Sequence, residues 1–287
     1  MTRSAAYART SLTLCALVCA QCSEPLPSPS LIRSARLLAV RAEPADFSPT
    51  TRALSLNALS AFAQPDDRAW SVRYLLCPVS LTHDPARCVE APTGLQVLGD
   101  SPSLTLEDTV LEGAPERLLI VAFCPGNPAR FDQSRGTLAC PDEHDVPYAQ
   151  TVGQLAFRTL KRRAVSNQNP TITGWTLDTQ PQDLARVPRC VSAPCAAHSV
   201  SVRPEPLSAE TLPEGTRELL TLSVYAGAGT LDRPRVITTQ EAPEGVQGVL
   251  TVQWTAPPVA GLVRVWFVLR DDRGGVTVRE GTIDVTE

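Results

Sequence analysis

Residues 262–278 read Leu-Val-Arg-Val-Trp-Phe-Val-Leu-Arg-Asp-Asp-Arg-Gly-Gly-Val-Thr-Val, and this stretch decides the fold class. Apolar side chains occupy the odd positions from Val263 to Leu269, so they share one face of an extended strand. Residues 271–275 then form an Asp- and Gly-rich reversal, because glycine adopts the positive φ that a tight turn requires. The pattern predicts a β-hairpin with one buried face, with Trp266 on the opposite face.

The returning strand changes the parity of its apolar positions. They are even-numbered at Val276 and Val278 but odd-numbered at Ile283 and Val285. Successive residues of a strand face opposite sides, so the two halves share a face only if one extra residue intervenes. We therefore predict a β-bulge near Glu280–Gly281.

The same two-residue period recurs along the chain between clusters of Pro, Gly and Asp. The continuous apolar run Leu118–Phe123 is typical of a central strand, and Arg52–Phe62 also fits one face of a helix. The sequence thus predicts an all-β protein built from sandwiches. The predicted strands before the final hairpin lie near residues 37–42, 54–59, 70–76, 118–123, 155–159, 171–177, 198–203, 218–225, 235–239 and 249–254.

Domain boundaries follow from composition. The segment 166–170, Ser-Asn-Gln-Asn-Pro, is polar and turn-prone, so we predict that it links one sandwich at 35–165 to another at 171–287. Residues 23–34 are rich in Pro and Ser. As an extended tether they would reach about 35 Å, at ~3.1 Å per residue.

The first 22 residues have the layout of a bacterial export signal. Arg3 and Arg9 precede an apolar run at 12–20, which is too short to span a bilayer. Two processing routes are compatible with this segment. Cleavage after Ala20 would release a secreted chain, whereas lipidation of Cys22 would anchor the chain to a membrane. A retained, uncleaved signal is the third possibility.

Cysteine numbers favour the anchored form. The chain has nine Cys, and cleavage after Ala20 would leave an odd number in an oxidising compartment. Lipidation of Cys22 leaves six, for which we predict structural disulfides between sequence neighbours, with cross-pairing between the first two pairs as the alternative. Because Cys77-Pro78 and Cys124-Pro125 each end an apolar run, we expect these two loops at one end of the first sandwich. The six cysteines are Cys77, Cys88, Cys124, Cys140, Cys190 and Cys195.

Residues 262–287 resemble the immunoglobulin-like sandwiches of bacterial surface proteins, PKD and cadherin-like modules among them, in which an apolar penultimate strand runs into Asp-x-x-Gly-Gly. The opening strand 37–44, Leu-Leu-Ala-Val-Arg-Ala-Glu-Pro, resembles the same class. The whole chain is similar to the hypothetical lipoproteins common in myxobacteria. The resemblance implies two tandem immunoglobulin-like domains behind a Cys-Ser-Glu-Pro start at Cys22, in a surface lipoprotein of the cell envelope.

Two groups of residues have metal-ligand chemistry. Cys190, Cys195 and His198 could bind zinc, but an oxidising compartment favours a small disulfide loop with a solvent-facing His. Oxygen atoms of Asp132, Asp142, Glu143 and Asp145 could bind calcium, but a solvated loop tip is the favoured interpretation, as turn chemistry is for Asp271 and Asp272. We predict neither a metal site nor a cofactor.

The sequence predicts a non-catalytic protein. It has no nucleophile elbow, no Walker motif and no paired-His zinc motif. The formal net charge is −4 and becomes −6 when the signal residues Arg3 and Arg9 are removed. The sequence has no basic stripe, which argues against nucleic acid as a partner. The rival hypothesis is a secreted or periplasmic hydrolase of envelope polymers that uses Asp142, Glu143 and His144.

We therefore expect an envelope protein, anchored to the outer membrane by an N-terminal acyl group or else periplasmic or secreted. The expected partners are membrane lipid and another envelope protein or a glycan. A sheet edge is one possible binding surface.

Overall fold

The all-β prediction is confirmed by a computed structural model, which describes residues 28–62, 69–90, 94–133, 135–141, 153–212, 215–238 and 248–287. These residues form nineteen strands, one α-helix and short 3₁₀ turns. The strands are β1 Arg36–Glu43, β2 Ala53–Ala61, β3 Trp70–Leu76, β4 Gln96–Gly99, β5 Ser103–Glu107, β6 Glu116–Pro125, β7 Arg130–Asp132, β8 Thr137–Ala139, β9 Gln154–Lys161, β10 Ile172–Leu177, β11 Gln180–Pro181, β12 Arg186–Pro188, β13 Ala197–Pro204, β14 Thr221–Ala226, β15 Thr230–Leu231, β16 Arg235–Ile237, β17 Leu250–Thr255, β18 Gly261–Arg270 and β19 Val276–Thr286. The helix α1 spans Pro85–Val89, and the 3₁₀ turns span Val79–Leu81, Asp108–Leu111 and Gln182–Leu184.

The first sandwich packs the sheet β1-β2-β5 against the sheet β4-β3-β6-β9. The segment Arg52–Phe62, which also fitted a helix, forms strand β2. The core between the sheets contains alternate residues of both, and Trp70 stacks on Phe123 with ring centroids 4.5 Å apart. Burial of one face of each sheet is the main source of stability here.

The second sandwich has sheets of order β11-β10-β13-β17-β15 and β12-β19-β18-β14-β16. In the second of these sheets, β18 pairs antiparallel with both β14 and β19, whereas β12 runs parallel to β19. Along the chain, β13, β15 and β17 of one sheet alternate with β14, β16 and β18 of the other. This strand order is that of the immunoglobulin-like fold.

The predicted bulge at Glu280–Gly281 is absent, so this prediction was wrong. Strands β18 and β19 pair without a register shift from Gly261 opposite Val285 to Arg270 opposite Val276. The parity changes because the two halves of β19 bury opposite faces, one against the other domain and one in its own core. Between them, Gly281 leaves room for Trp175, whose ring lies 2.5 Å from the place of a Cβ atom.

Disulfides join Cys77 to Cys88, Cys124 to Cys140, and Cys190 to Cys195, as pairing between sequence neighbours predicted. The first two loops nevertheless lie at opposite ends of the first sandwich. Strands β3 and β6 are antiparallel and adjacent, so the carboxyl ends of these two strands point in opposite directions. Together the loops cover the outer face of β6, where Ile120 is fully buried.

The two sandwiches pack side by side through one cluster of buried residues. The outer face of β18, with Trp266 and Val268, packs against Leu38 and Ala39 of β1. Trp266 is only 1% exposed, although the alternation in the sequence places it on the outer face. The domains are therefore folded back on each other about the segment between β9 and β10.

The described part of the predicted tether also packs against the second sandwich. Ile32 donates its backbone N–H to the carbonyl of Ala226 at 2.8 Å and is buried in the cluster between the domains. Residues 28–34 thus differ from the extended tether that their composition suggests, because Ile32 finds an apolar surface beside β14. No helix among the described residues has the length and apolar character needed to cross a membrane.

Candidate binding cleft between the two sandwiches

A cleft of about 410 Å³ separates β9 and β1 from the turn between β18 and β19. Its walls carry basic side chains from both domains, and Asp272 is the acidic residue that lines it. Clefts between domains are frequent ligand sites in proteins. The basic lining residues are Arg158, Lys161, Arg163, Arg270 and Arg273.

The free edge of β1 positions this cleft. Strand β1 pairs with β2 on one side, and side chains satisfy three carbonyl groups on its other side. Arg270 donates to the carbonyl of Leu38 at 2.6 Å and Asn169 to that of Ala42 at 2.6 Å. Arg158 donates to the carbonyl between them, Val40, at 3.1 Å. Buried carbonyls need such partners, so these donors fix one domain against the other.

Arg158 connects the two domains. Besides Val40, its guanidinium donates to the carbonyls of Ala45 in the first domain and Gly274 in the second, the latter at 2.7 Å. Burial lowers the pKa of Arg158, and the carboxylates of Asp46 and Asp271 oppose that shift. The Nε atom of Arg158 is buried and has no hydrogen-bond partner among the described residues.

Asp46 is a buried carboxylate beside this guanidinium. It accepts a hydrogen bond from Arg163 at 2.5 Å and is 3% exposed. Burial raises the pKa of Asp46, and the nearby Arg163 counteracts the rise. Arg163 also donates to the carbonyl of Arg273, at 3.2 Å, so this ion pair holds the turn of the second domain.

Asp271 organises the turn itself. Its carboxylate accepts hydrogen bonds from the backbone N–H groups of Arg273 at 2.9 Å and Gly275 at 2.7 Å, and from the Asn167 amide at 3.2 Å. The turn chemistry expected for this aspartate therefore accounts for its contacts.

Arg273 extends the network into the second domain. It lies 2.8 Å from a carboxylate oxygen of Glu210 and 3.2 Å from one of Glu218. Glu218 is 2% exposed, and burial raises its pKa to about 7.

The edge of β9 that faces the cleft has free backbone groups. On the side away from β6, Phe47 donates to the carbonyl of Lys161 at 3.2 Å. Backbone groups alternate between the two sides of a strand, so the odd-numbered residues 155, 157 and 159 point the same way. Within the described chain, no strand pairs with that stretch. Phe157 is 45% exposed on it, and a further extended segment can pair there.

A second open edge lies on β19. The N–H of Asp284 pairs with the segment before β12, and Asn169 caps the N–H of Val276. The backbone groups of the even-numbered residues between them, 278, 280 and 282, point the same way, and Glu280 and Thr282 line a cavity of about 490 Å³. Its lining is mixed in charge, with three acidic and two basic residues: Asp183, Glu280, Asp284, Arg186 and Arg279.

The expected solvent-facing position of His198 was wrong. His198 lies on β13, is 9% exposed, and its Nδ1 is 2.5 Å from a carboxylate oxygen of Asp178. Asp178 also accepts the N–H of Ser199 at 2.7 Å, which supports the positive φ of 48° at Asp178. Since Cys190 and Cys195 form a disulfide, the three residues do not form a zinc site.

The predicted calcium ligands are only partly described. Asp132 forms an ion pair with Arg135 at 3.7 Å, whereas Asp142, Glu143, His144 and Asp145 lie outside the described residues, as does Cys22. Across the parts of the chain with described positions, no cluster of three potential metal-ligating residues occurs. His83 is separate from these residues and lies 3.1 Å from Glu116.

Sequence reasoning missed the cleft because its residues come from distant segments. Arg158 and Gly274 are 116 residues apart. A usable signal was the arginine within the alternating strand 155–159, where an inward-facing charge needs a partner.

The comparisons with known proteins add little beyond the fold. No family model matches the chain, and no curated protein matches it. Among solved structures, it is similar to fibronectin(III)-like modules of CbhA from Clostridium thermocellum, at 10% identity and a TM-score of 0.25, covering 86% of this chain and 94% of that one. It is also similar to the D00-D0 domain of intimin, at 12% identity and a TM-score of 0.27, covering 88% and 99%. Likeness this distant carries no function over, so the immunoglobulin-like assignment rests on the strand order.

Proposed function

We propose that this chain is an exported envelope protein, lipid-anchored at Cys22, that binds a partner without catalysis through the cleft between its two sandwiches. The observation that carries the proposal is the open edge of β9 beside basic side chains from both domains. Periplasmic or secreted forms without the lipid would have the same cleft.

The cleft suits an extended, acidic polypeptide segment better than a glycan. Strand addition uses the free N–H and C=O groups of Leu155, Phe157 and Thr159, which a polypeptide matches at every second residue. Five basic residues and one acidic residue line the cleft, and this excess attracts carboxylates even though Lys161 and Arg163 also pair with Glu116 and Asp46. Phe157 offers an apolar contact at the rim. The partner is accordingly an acidic segment of another envelope protein.

Three acidic residues near the cleft have structural roles. Asp46, Asp271 and Glu218 are bonded to arginines or to backbone N–H groups. The residues proposed for the rival hydrolase, Asp142, Glu143 and His144, lie outside the described residues.

The test is photocrosslinking in intact cells with a photoreactive residue at position 157. We expect one acidic partner to be captured at position 157 and not at position 207, because Leu207 is more exposed, at 81% against 45% for Phe157, and does not line the cleft. Thr159→Pro should abolish capture, because it removes an edge N–H without disturbing the pairing of β9 with β6.

Thr282→Pro is the matched control, since it removes an N–H from the other open edge, on β19. If proline perturbs folding, the exposed Lys161→Glu change provides the same test through charge. Equal capture at positions 157 and 207, or capture that survives both changes near the cleft, would refute the proposal.

A further inference from the structure

The described chain begins at one end of the second sandwich. Ala226, the last residue of β14, donates its N–H to the carbonyl of Ser30 at 3.0 Å. Gly227 then donates to the carbonyl of Arg264, near the start of β18, at 2.9 Å. We call this end of the second sandwich the proximal end.

Two loops meet at the proximal end. One precedes β13 and is closed by the Cys190–Cys195 disulfide, and the other connects β17 to β18. Cys190 donates its N–H to the carbonyl of Pro257 at 3.0 Å, so the loops are joined directly. Together with the first residues of β18 they form a surface that we call the apolar tip. Its exposed members are Val191, Ala193, Pro194, Pro258, Val259 and Leu262.

The apolar side chains of the tip are mostly exposed to solvent. Val191 is 74% exposed, Val259 72% and Leu262 76%. No charged residue occurs in 190–197 or 254–263, although charged residues make up 20% of the chain. An exposed apolar patch of this kind marks a surface that another phase or molecule covers.

The flanking charges leave the tip neutral. Arg189 lies 2.5 Å from the carboxylate of Glu287, so the cation and the anion next to the loop offset each other. A neutral apolar surface is not repelled by anionic lipid headgroups.

The length of the chain before Ser28 identifies what covers the tip. Only six peptide units separate Cys22 from Ser28, and six residues span at most ~20 Å when fully extended. An acyl group on Cys22 would therefore hold the proximal end close to the bilayer.

We propose that the apolar tip inserts into the bilayer surface and orients the anchored protein, an inference that rests on the lipid anchor of the proposed function. Shallow insertion of Val191, Val259 and Leu262 adds apolar burial to the acyl chains, and two such signals bind a membrane more firmly than one. The disulfide and the prolines pre-form the loops, so insertion requires little ordering of the chain.

The test uses the full chain purified with its lipid and reconstituted into phosphatidylcholine vesicles that contain a brominated phosphatidylcholine, which quenches tryptophan at the depth of the acyl chains. Val259→Trp places a reporter on the tip. Leu207→Trp is the matched control, because Leu207 is 81% exposed beyond the opposite end of β13. We expect bromolipid to quench the added fluorescence of Val259→Trp by about twofold and to leave that of Leu207→Trp unchanged.

A second pair of variants tests the tip without a new tryptophan. Leu262→Asp should loosen the orientation of the protein on the bilayer. On vesicles, Lys161 should then react with a membrane-impermeant amine reagent at a different rate. Leu207→Asp should leave that rate unchanged.

The outcomes separate the anchor from the tip. If the chain floats with vesicles but the Val259→Trp signal is not quenched, the tip proposal is overturned and the anchor stands. If Val259→Trp is unquenched and the protein instead self-associates through this end, the tip is a protein interface and the proposal fails. A chain that lacks lipid by intact mass and does not float would refute the anchor and the tip together.

Discussion

The two sandwiches bury the outer faces of their central strands in different ways. Strands β6 and β18 are both buried on two sides, and each contributes one face to the core of its own sandwich. In the first domain the outer face, with Ile120, lies under two disulfide-closed loops of the same domain. In the second domain the outer face, with Trp266, lies under the first domain.

This difference shows that a strand with apolar residues on both faces must bury its outer face, but that its sequence does not specify which part of the protein covers that face. The first domain supplies its cover through local chain closed by disulfides, and therefore depends on oxidation. The second domain depends on its neighbour. The changes below test this division in order of decreasing expected effect.

Trp266→Ala should have the largest effect. It opens a cavity between the domains, and a buried Trp→Ala change costs about 3–5 kcal/mol of unfolding free energy. Urea unfolding followed by circular dichroism measures the loss, and the exposed Leu262→Ala on the same strand is the control. Similar stability of the two variants would mean that the domains do not depend on each other.

Replacing both Cys124 and Cys140 by Ala should cost about 3 kcal/mol, compared with about 2 for the Cys190–Cys195 pair, because the longer loop restricts the unfolded chain more. Their sequence separations are 16 and 5. Loosening of the Cys124–Cys140 loop should also expose Ile120 and so increase the cost of the first double replacement. Thermal unfolding measures the stability that each double variant loses. A larger loss for the Cys190–Cys195 pair would show that the loop closed by Cys124 and Cys140 does not cover β6.

Gly281→Ala should destabilise the second domain by about 1–3 kcal/mol, since the new methyl group overlaps Trp175. Gly174→Ala in β10 is a matched control, because no atom lies within 4 Å of its Cβ position. Unfolding by guanidinium compares the two. Equal stabilities would mean that β19 or the Trp175 ring shifts to admit the methyl group.

Glu218→Gln should change how stability depends on pH. The pKa of Glu218 is raised by burial to about 7, from 4.5 in the unfolded chain, so the folded state holds its proton more tightly. Its favourable contribution is complete below pH 4.5 and is lost as the pH rises through 7. The Gln variant should remove this slope and gain on the order of 1–2 kcal/mol at pH 8 relative to the native chain.

Glu116→Gln in the first domain is the control, because the pKa of Glu116 is shifted in the opposite direction to that of Glu218. The hydrogen bond from Lys161, at 2.8 Å, lowers the pKa of Glu116, so this contribution is present at neutral pH and is lost as the pH falls. Parallel pH profiles for the two variants would contradict the burial assigned to Glu218.

Much of the fold could be predicted because period-two alternation is a local property of the chain. It located β2, β3 and β18 and their buried faces. The short strand β12 escaped notice because three residues give no period. The pairing of cysteines with their sequence neighbours was also predictable, but not the position of their loops, which depends on the antiparallel arrangement of β3 and β6.

The candidate cleft was less accessible to sequence reasoning. Asn169 and Arg270 are unremarkable in their own segments, and the role they share with Arg158 appears only when the carbonyls of β1 require donors. His198 likewise was expected to face solvent, because its contact with Asp178 depends on the pairing of strands and not on neighbouring residues.

The sequence alone determined that this chain forms β-strands with one or two buried faces, because alternation and burial are set by neighbouring residues. The tertiary structure decided what covers each second face, which edges stay open and where the charges meet. Those features depend on residues over a hundred positions apart, and no local pattern encodes which of many compatible surfaces will come into contact.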